Sequence, residues 1–130
     1  MEIQSFDERH LDGVLQLCAA EGWPSLPEDP QRARRILTAP GVTTVVAVEG
    51  TEVVGVAEMF SDGELQAHLA LLAVDSGRRH RGIGRALIED ALRRAGGERI
   101  DLLSEADATG FYEQLPHKRM PGFRVYPFER

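Results

Sequence analysis

The segment from Val74 to Arg85, Val-Asp-Ser-Gly-Arg-Arg-His-Arg-Gly-Ile-Gly-Arg, concentrates residue types that hold an anion. It joins an apolar run to the start of a helical pattern. The first turn of a helix carries unpaired backbone N–H groups and the positive end of the dipole, so it accepts phosphate oxygens. Gly82 and Gly84 let an anion approach the main chain where a Cβ would block it. Arg78, Arg79, Arg81 and Arg85 add charge and bidentate donors. The bland alternative is an ordinary glycine-containing turn with a solvated basic face. Other phosphate motifs are eliminated by residue type. A P-loop needs Gly-Lys-Ser/Thr, and the one lysine is Lys118. A dinucleotide fingerprint needs a third glycine where Leu87 stands, and belongs after a first strand.

The elements that must position this loop are readable around it. Glu2–Phe6 alternates weakly, as an edge strand does. Asp7 caps a helix with apolar positions Leu11, Val14, Leu15 and Cys18, ending near Gly22. Glu21–Pro30, with three prolines and Trp23, is a loop, and Asp29-Pro30 starts a short helix that Pro40-Gly41 stops. Val42–Val48 and Val53–Phe60 read as strands about a turn, and Leu65–Val74 as a long central strand. Ile83–Ala95 is an amphipathic helix with Ile83, Ala86, Leu87 and Ala91 inward, ended by Gly96-Gly97. Arg99–Ser104 is a further strand, and strand–helix–strand makes a right-handed crossover with parallel strands. A last helix over Asp107–Leu115 and a hairpin-like tail complete the chain. The expected fold is α/β (α+β): a mixed, mostly antiparallel sheet with one parallel βαβ unit and flanking helices, in one domain over residues 1–130.

Composition narrows the function. Fifteen Lys and Arg against 21 Asp and Glu give −6, which argues against a general nucleic-acid binder. Gly77–Arg99 nevertheless holds seven Arg and three acids, so the remainder carries −10. A basic island in an acidic chain suits one bound anion, although 14 of the 15 basic residues being Arg points to a general Arg bias too. One cysteine, Cys18, excludes an internal disulfide framework. No apolar run approaches the roughly 20 residues of a membrane helix, and the N-terminus lacks signal-peptide order. A soluble cytoplasmic protein is the expectation. His10, His68, His80 and His117 are scattered without a metal-binding pattern, and Gly-x-Ser-x-Gly is absent.

Arg79-x-x-Gly82-x-Gly84, set between strand and helix, resembles the pyrophosphate motif of the GNAT superfamily of N-acetyltransferases. The order strand–helix–helix–strand–strand–strand–helix–strand–helix–strand is similar to that fold. The resemblance implies acetyl-CoA as acyl donor and acetyl transfer to a primary amine of a small molecule or peptide by direct attack in a ternary complex. It implies a pyrophosphate cradle at Arg79, His80, Arg81, Gly82, Ile83, Gly84 and Arg85. Leu72, Ala73 and Val74 then meet the pantetheine arm and thioester carbonyl. Ala108-x-x-Phe111-Tyr112 is similar to the family's later helix, which makes Tyr112 the candidate acid beside the departing sulfur. Its alternative role is a core aromatic. For the base, His68 on the central strand and Glu58 on its neighbour compete with a water-mediated route. Trp23 either lines the acceptor pocket or caps the core. Two positions depart from the pattern: Glu105 stands where Asn is common, and Pro116-His117 where Gly-Phe is common. They keep a non-catalytic acyl-CoA-binding or interaction module as the alternative. The expected assembly is a monomer or homodimer without nucleic-acid or membrane partners.

Overall fold

The structure, a computed structural model, describes residues 1–128. Five strands line up in chain order: β1 (Glu2–Ser5), β2 (Val42–Glu49), β3 (Glu52–Ser61), β4 (Gln66–Val74) and β5 (Arg99–Asp101). The first four pair antiparallel and β5 joins β4 in parallel. Helices α1 (Leu11–Ala20) and α2 (Pro30–Leu37) cover one face. On the other lie α3 (Ile83–Ala95) and the short α4 (Thr109–Glu113). A mixed sheet with helices on both faces is the architecture the sequence predicts.

Local chemistry explains the boundaries. The Asp29 carboxylate accepts from Arg32 N–H at 3.1 Å, with Pro30 in the first turn of α2. Asp7 and His10 form a reciprocal cap on a 3-10 turn, Glu8–His10, that leads into α1. Alternation along the strands sends Val45, Ala47, Ala57, Met59, Ala67 and Leu69 to the α3 face. Val46, Val48, Val56 and Ala73 go to the α1 and α2 face. Each face gets a separate apolar core, and β2 and β3 are nearly all buried because both of their faces are covered.

Four expectations are corrected. β5 is three residues long rather than extending to Ser104. The late helix is a 3-10 turn, Ala106–Ala108, followed by five helical residues. The tail through Phe128 contains no strand. β4 is the fourth strand of five, so the middle of the sheet is β3. Among the described residues no helix is long and apolar enough to cross a membrane.

Candidate functional site

The site begins with a defect in the sheet. Glu58 pairs with Leu71 and Met59 with Leu69, so Ala70 is an extra residue in β4. Before the bulge Ala67 and Leu69 face α3; after it Leu72 and Val74 do. β5 pairs with β4 only through His68↔Asp101. Beyond that point the two strands are unpaired. Asp75 N–H donates to Val54 at 2.8 Å, and N–H directions alternate along an extended strand. The N–H groups of Leu72 and Val74 therefore point away from β3, into the space beside β4 that β5 leaves open. Peptide groups in the body of a sheet normally have a strand partner. Here two of them face a gap.

The loop expected to bind an anion lies directly after this gap. Helix α3 begins at Ile83 with Gly82 as N-cap, and no side chain caps it. The first helical bond is Ala86 N–H to Gly82 at 3.0 Å, which leaves the N–H groups of Ile83, Gly84 and Arg85 without helical acceptors. Gly82 has φ +80 and open space where a Cβ would stand, so the approach to those groups is clear. His80 also takes a left-handed φ of 66, which turns the loop sharply. Gly84 also has a packing role. A Cβ there would come within 3.1 Å of the Phe111 ring, so this glycine lets α4 pack on α3.

The four arginines of the basic island also divide. Arg78 is bound by Glu49 at 2.6 Å, Asp75 at 3.0 Å and Glu52 at 3.1 Å, and these partners raise its pKa further. It pins the loop to the β2–β3 turn and is not a free phosphate ligand, which corrects the count of four. Arg85 pairs with Glu89 along the helix at 3.4 Å. Arg79 is ion-paired with Glu21 at the end of α1, a contact across 58 positions that no local signal reveals. Arg81 makes no ion pair among the described residues and is exposed.

Glu58 projects to the α1 and α2 face, between Thr44 on β2 and Leu71 on β4. It is 5% exposed, and its Oε2 has no hydrogen-bond partner among the described residues. Burial pushes its carboxyl up to about 7. Cys18 is close enough that Glu58 helps burial raise the thiol to about 11, so the thiol stays protonated and unreactive. His68 is on the same face, two residues further along β3 in register, opposite Phe60. Its ring stacks on Phe60 with centroids 6.0 Å apart. The pair borders a shallow groove of about 430 Å³ that also includes Gly41, Val42, Asp62 and Gln66. Thus the two candidate bases occupy one face, Glu58 deep and His68 at the rim.

Tyr112 lies on the opposite face, packed with Phe111 against the cluster that holds Leu72, Val74 and Leu102. The two aromatic rings meet edge to face at 4.9 Å. Burial raises the phenol pKa, so the hydroxyl keeps its proton at neutral pH. Trp23 sits on the α1 side, partly buried against the cluster of Val14, Cys18 and Leu37, with its backbone N–H donating to the Cys18 carbonyl at 2.9 Å. Among the described residues no group of His, Cys, Asp and Glu is placed to hold a metal.

The profile of the acetyltransferase (GNAT) domain matches residues 13–124. The chain belongs to the GNAT acetyltransferase family. A Deinococcus radiodurans R1 protein provisionally assigned as an acetyltransferase is 31% identical to this GNAT domain, covers 97% of it and 87% of its own length, and superposes with a TM-score of 0.74. The aminoglycoside 6'-N-acetyltransferase of Acinetobacter haemolyticus is 16% identical over 100% of this chain and 99% of its own, with a TM-score of 0.80. A ribosomal-protein-alanine N-acetyltransferase from Brucella melitensis biovar Abortus is 19% identical over 98% and 99%, with a TM-score of 0.77. The last two likenesses show the fold alone. None of the curated proteins compared with the chain matches it.

Proposed function

We propose that this domain transfers an acetyl group from acetyl-CoA to a primary amine of a small molecule or peptide. The observation that carries the reading is the continuity of three features. These are the unpaired Leu72 and Val74 N–H groups, the uncapped N–H groups of Ile83, Gly84 and Arg85, and the buried, unpartnered Glu58 across from Leu71.

The residues fit the donor. The N–H groups at the start of α3, with Arg79, Arg81 and the open space over Gly82, hold the pyrophosphate. His80 shapes that loop. The edge of β4 at Leu72, Ala73 and Val74 takes the arm, and acetyl-CoA supplies an activated acyl group when bound. Leu72 or Val74 N–H then donates to the carbonyl oxygen as negative charge grows there. Glu58 takes a proton from the ammonium or, through water, from the attacking nitrogen. An amine with a pKa near ~10.4 arrives protonated, and a carboxylate titrating near neutrality can accept its proton and pass it to solvent. Tyr112 donates to the departing sulfur. The stacked Phe60 and His68, with Trp23, border the acceptor side.

Thiol release from acetyl-CoA, measured over polyamines, amino acids, aminoglycosides and peptides, tests this directly. Amine-dependent release that disappears in Glu58→Gln supports the reading. Retained CoA binding with no release for any amine class would leave a binding module instead.

A further inference from the structure

The groove beside Phe60 and His68 extends well beyond the point where one amine would meet Glu58. Val42, Phe60, His68 and Asp101 form one row across four paired strands, so its floor offers no free strand edge to a peptide backbone. Phe60 is 42% exposed, with its ring backed by the stacked His68 imidazole. An open aromatic face takes a methylene chain or a cation, and neither needs a hydrogen bond there.

Asp62 borders the outer end of the groove. Its Oδ1 accepts the backbone N–H groups of Glu64, Leu65 and Gln66 at 2.8, 2.8 and 3.2 Å. Oδ2 receives only a 3.3 Å contact from the Gln66 N–H, so it keeps room for another donor. The backbone donors, Glu64 and Leu65 foremost, hold this carboxyl below the usual carboxylate range, and it is ionised at neutral pH. No cation is paired with Asp62 among the described residues. The neighbouring charges are already matched through Gln66, whose amide accepts from Arg99 at 2.7 Å and donates to Asp101 at 2.8 Å. The groove therefore ends in one fixed, uncompensated negative charge.

Its inner end is the row of Thr44, Glu58 and Leu71. Glu58 and Asp62 are four positions apart along β3 and its exit, about 13 Å of extended backbone. A hydrocarbon chain advances about 1.25 Å per bond, so ammonium groups about eight to ten carbons apart span the two carboxylates. We propose that the groove is a specificity subsite for the far end of the acceptor, and that the substrate class is an α,ω-diamine about eight to ten carbons long. The second ammonium rests on Phe60 and Asp62 while the first lies at Glu58. This assignment rests on the acetyl-transfer reading and gives it a selectivity that acetyl transfer alone does not require.

Octylamine matches terminal diaminooctane in carbon number and lacks the second cation. With acetyl-CoA saturating, KM for diaminooctane should be about tenfold lower, the joint effect of an exposed ion pair and an exposed cation–π contact. Asp62→Asn keeps an acceptor oxygen for the turn and should shrink that preference to about twofold, with octylamine kinetics unchanged. Terminal diaminopropane is too short to reach both ends, so the same substitution should leave its kinetics unchanged. Binding is read separately from chemistry. Titrating diaminooctane into the isotope-labelled full chain should shift the amide NMR signals of Glu64, Leu65 and Gln66, the donors to Asp62, and Asp62→Asn should weaken those shifts. Shifts of this kind without thiol release from any amine would uphold the subsite and overturn the transfer reading. Equal KM values for diaminooctane and octylamine overturn the subsite. So does a preference that Asp62→Asn leaves intact, or a titration that leaves the three amides unmoved.

Discussion

Replacing Glu58 by Gln separates catalysis from stability in a single variant. The carboxyl is lifted from an ordinary 4.5 to about 7 by burial alone. That displacement corresponds to roughly 3 kcal/mol between its protonated and ionised forms. Because the folded-state pKa is raised, the native protein holds the proton more tightly than the unfolded chain. The contribution is fully present below about pH 4.5 and is lost as pH rises through 7. Wild type at pH 8 therefore holds an ionised, unpartnered carboxylate that the amide variant lacks. The amide leaves its own buried donors unpaired, which costs about 1–3 kcal/mol at every pH. The two proteins should thus differ in slope more than in height. Between pH 5 and 8 the Tm of wild type should fall relative to Glu58→Gln by about 10 °C, taking a few degrees per kcal/mol for a chain of this length. Activity runs the other way. If Glu58 is the base, kcat/KM rises with pH up to about 7 and then levels off. Glu58→Gln should lower it by about 10²–10⁴-fold and remove the limb. Differential scanning calorimetry and pH-rate profiles on both proteins, with His68→Ala alongside, decide the matter. Parallel Tm curves would show that Glu58 titrates normally. Loss of the limb in His68→Ala but not in Glu58→Gln would transfer the role to His68.

Tyr112→Phe keeps the edge-to-face packing on Phe111 and removes one hydroxyl, so kcat should drop about 10²–10⁴-fold with Tm nearly constant. A lower Tm with kcat intact would make the residue purely structural. The two loop glycines should fail differently. Gly82→Asp puts a charge into the open space and should abolish CoA binding by calorimetry, at a stability cost of about 1–2 kcal/mol for its left-handed φ. Gly84→Ala instead meets Phe111 and should lower the urea midpoint, by about 1–3 kcal/mol in stability. Since Glu21 occupies Arg79, Glu21→Gln should tighten CoA binding several-fold by freeing the guanidinium. In an Arg79→Ala background the same change should have no effect, and an equal gain there would refute the competition.

The sequence by itself determined the elements whose causes are local. Asp29-Pro30 starts α2, Ile83–Ala95 is helical over its predicted length, and Gly96 ends it, because caps, glycines and a 3.6-residue apolar period act within one or two turns. The motif Arg79-x-x-Gly82-x-Gly84 carried the family for the same reason, as its backbone geometry is written in adjacent residues. Tertiary structure decided the rest. Arg78 and Arg79 read alike in sequence, but one is locked by three carboxylates, two of them 26 and 29 positions away, and the other reaches Glu21 across 58 positions. Gly84 reads in sequence as a glycine for an anion, and only the fold shows that it also makes room for Phe111. Glu58 and His68 differ little as symbols on neighbouring strands. Burial singles out Glu58, since desolvation of a carboxylate depends on what the two helices and the flanking strands place around it. The tail, rich in Pro, Gly and aromatics, reads as hairpin-like, yet it contains no strand through Phe128, because composition sets turns locally whereas a strand forms only by pairing with another.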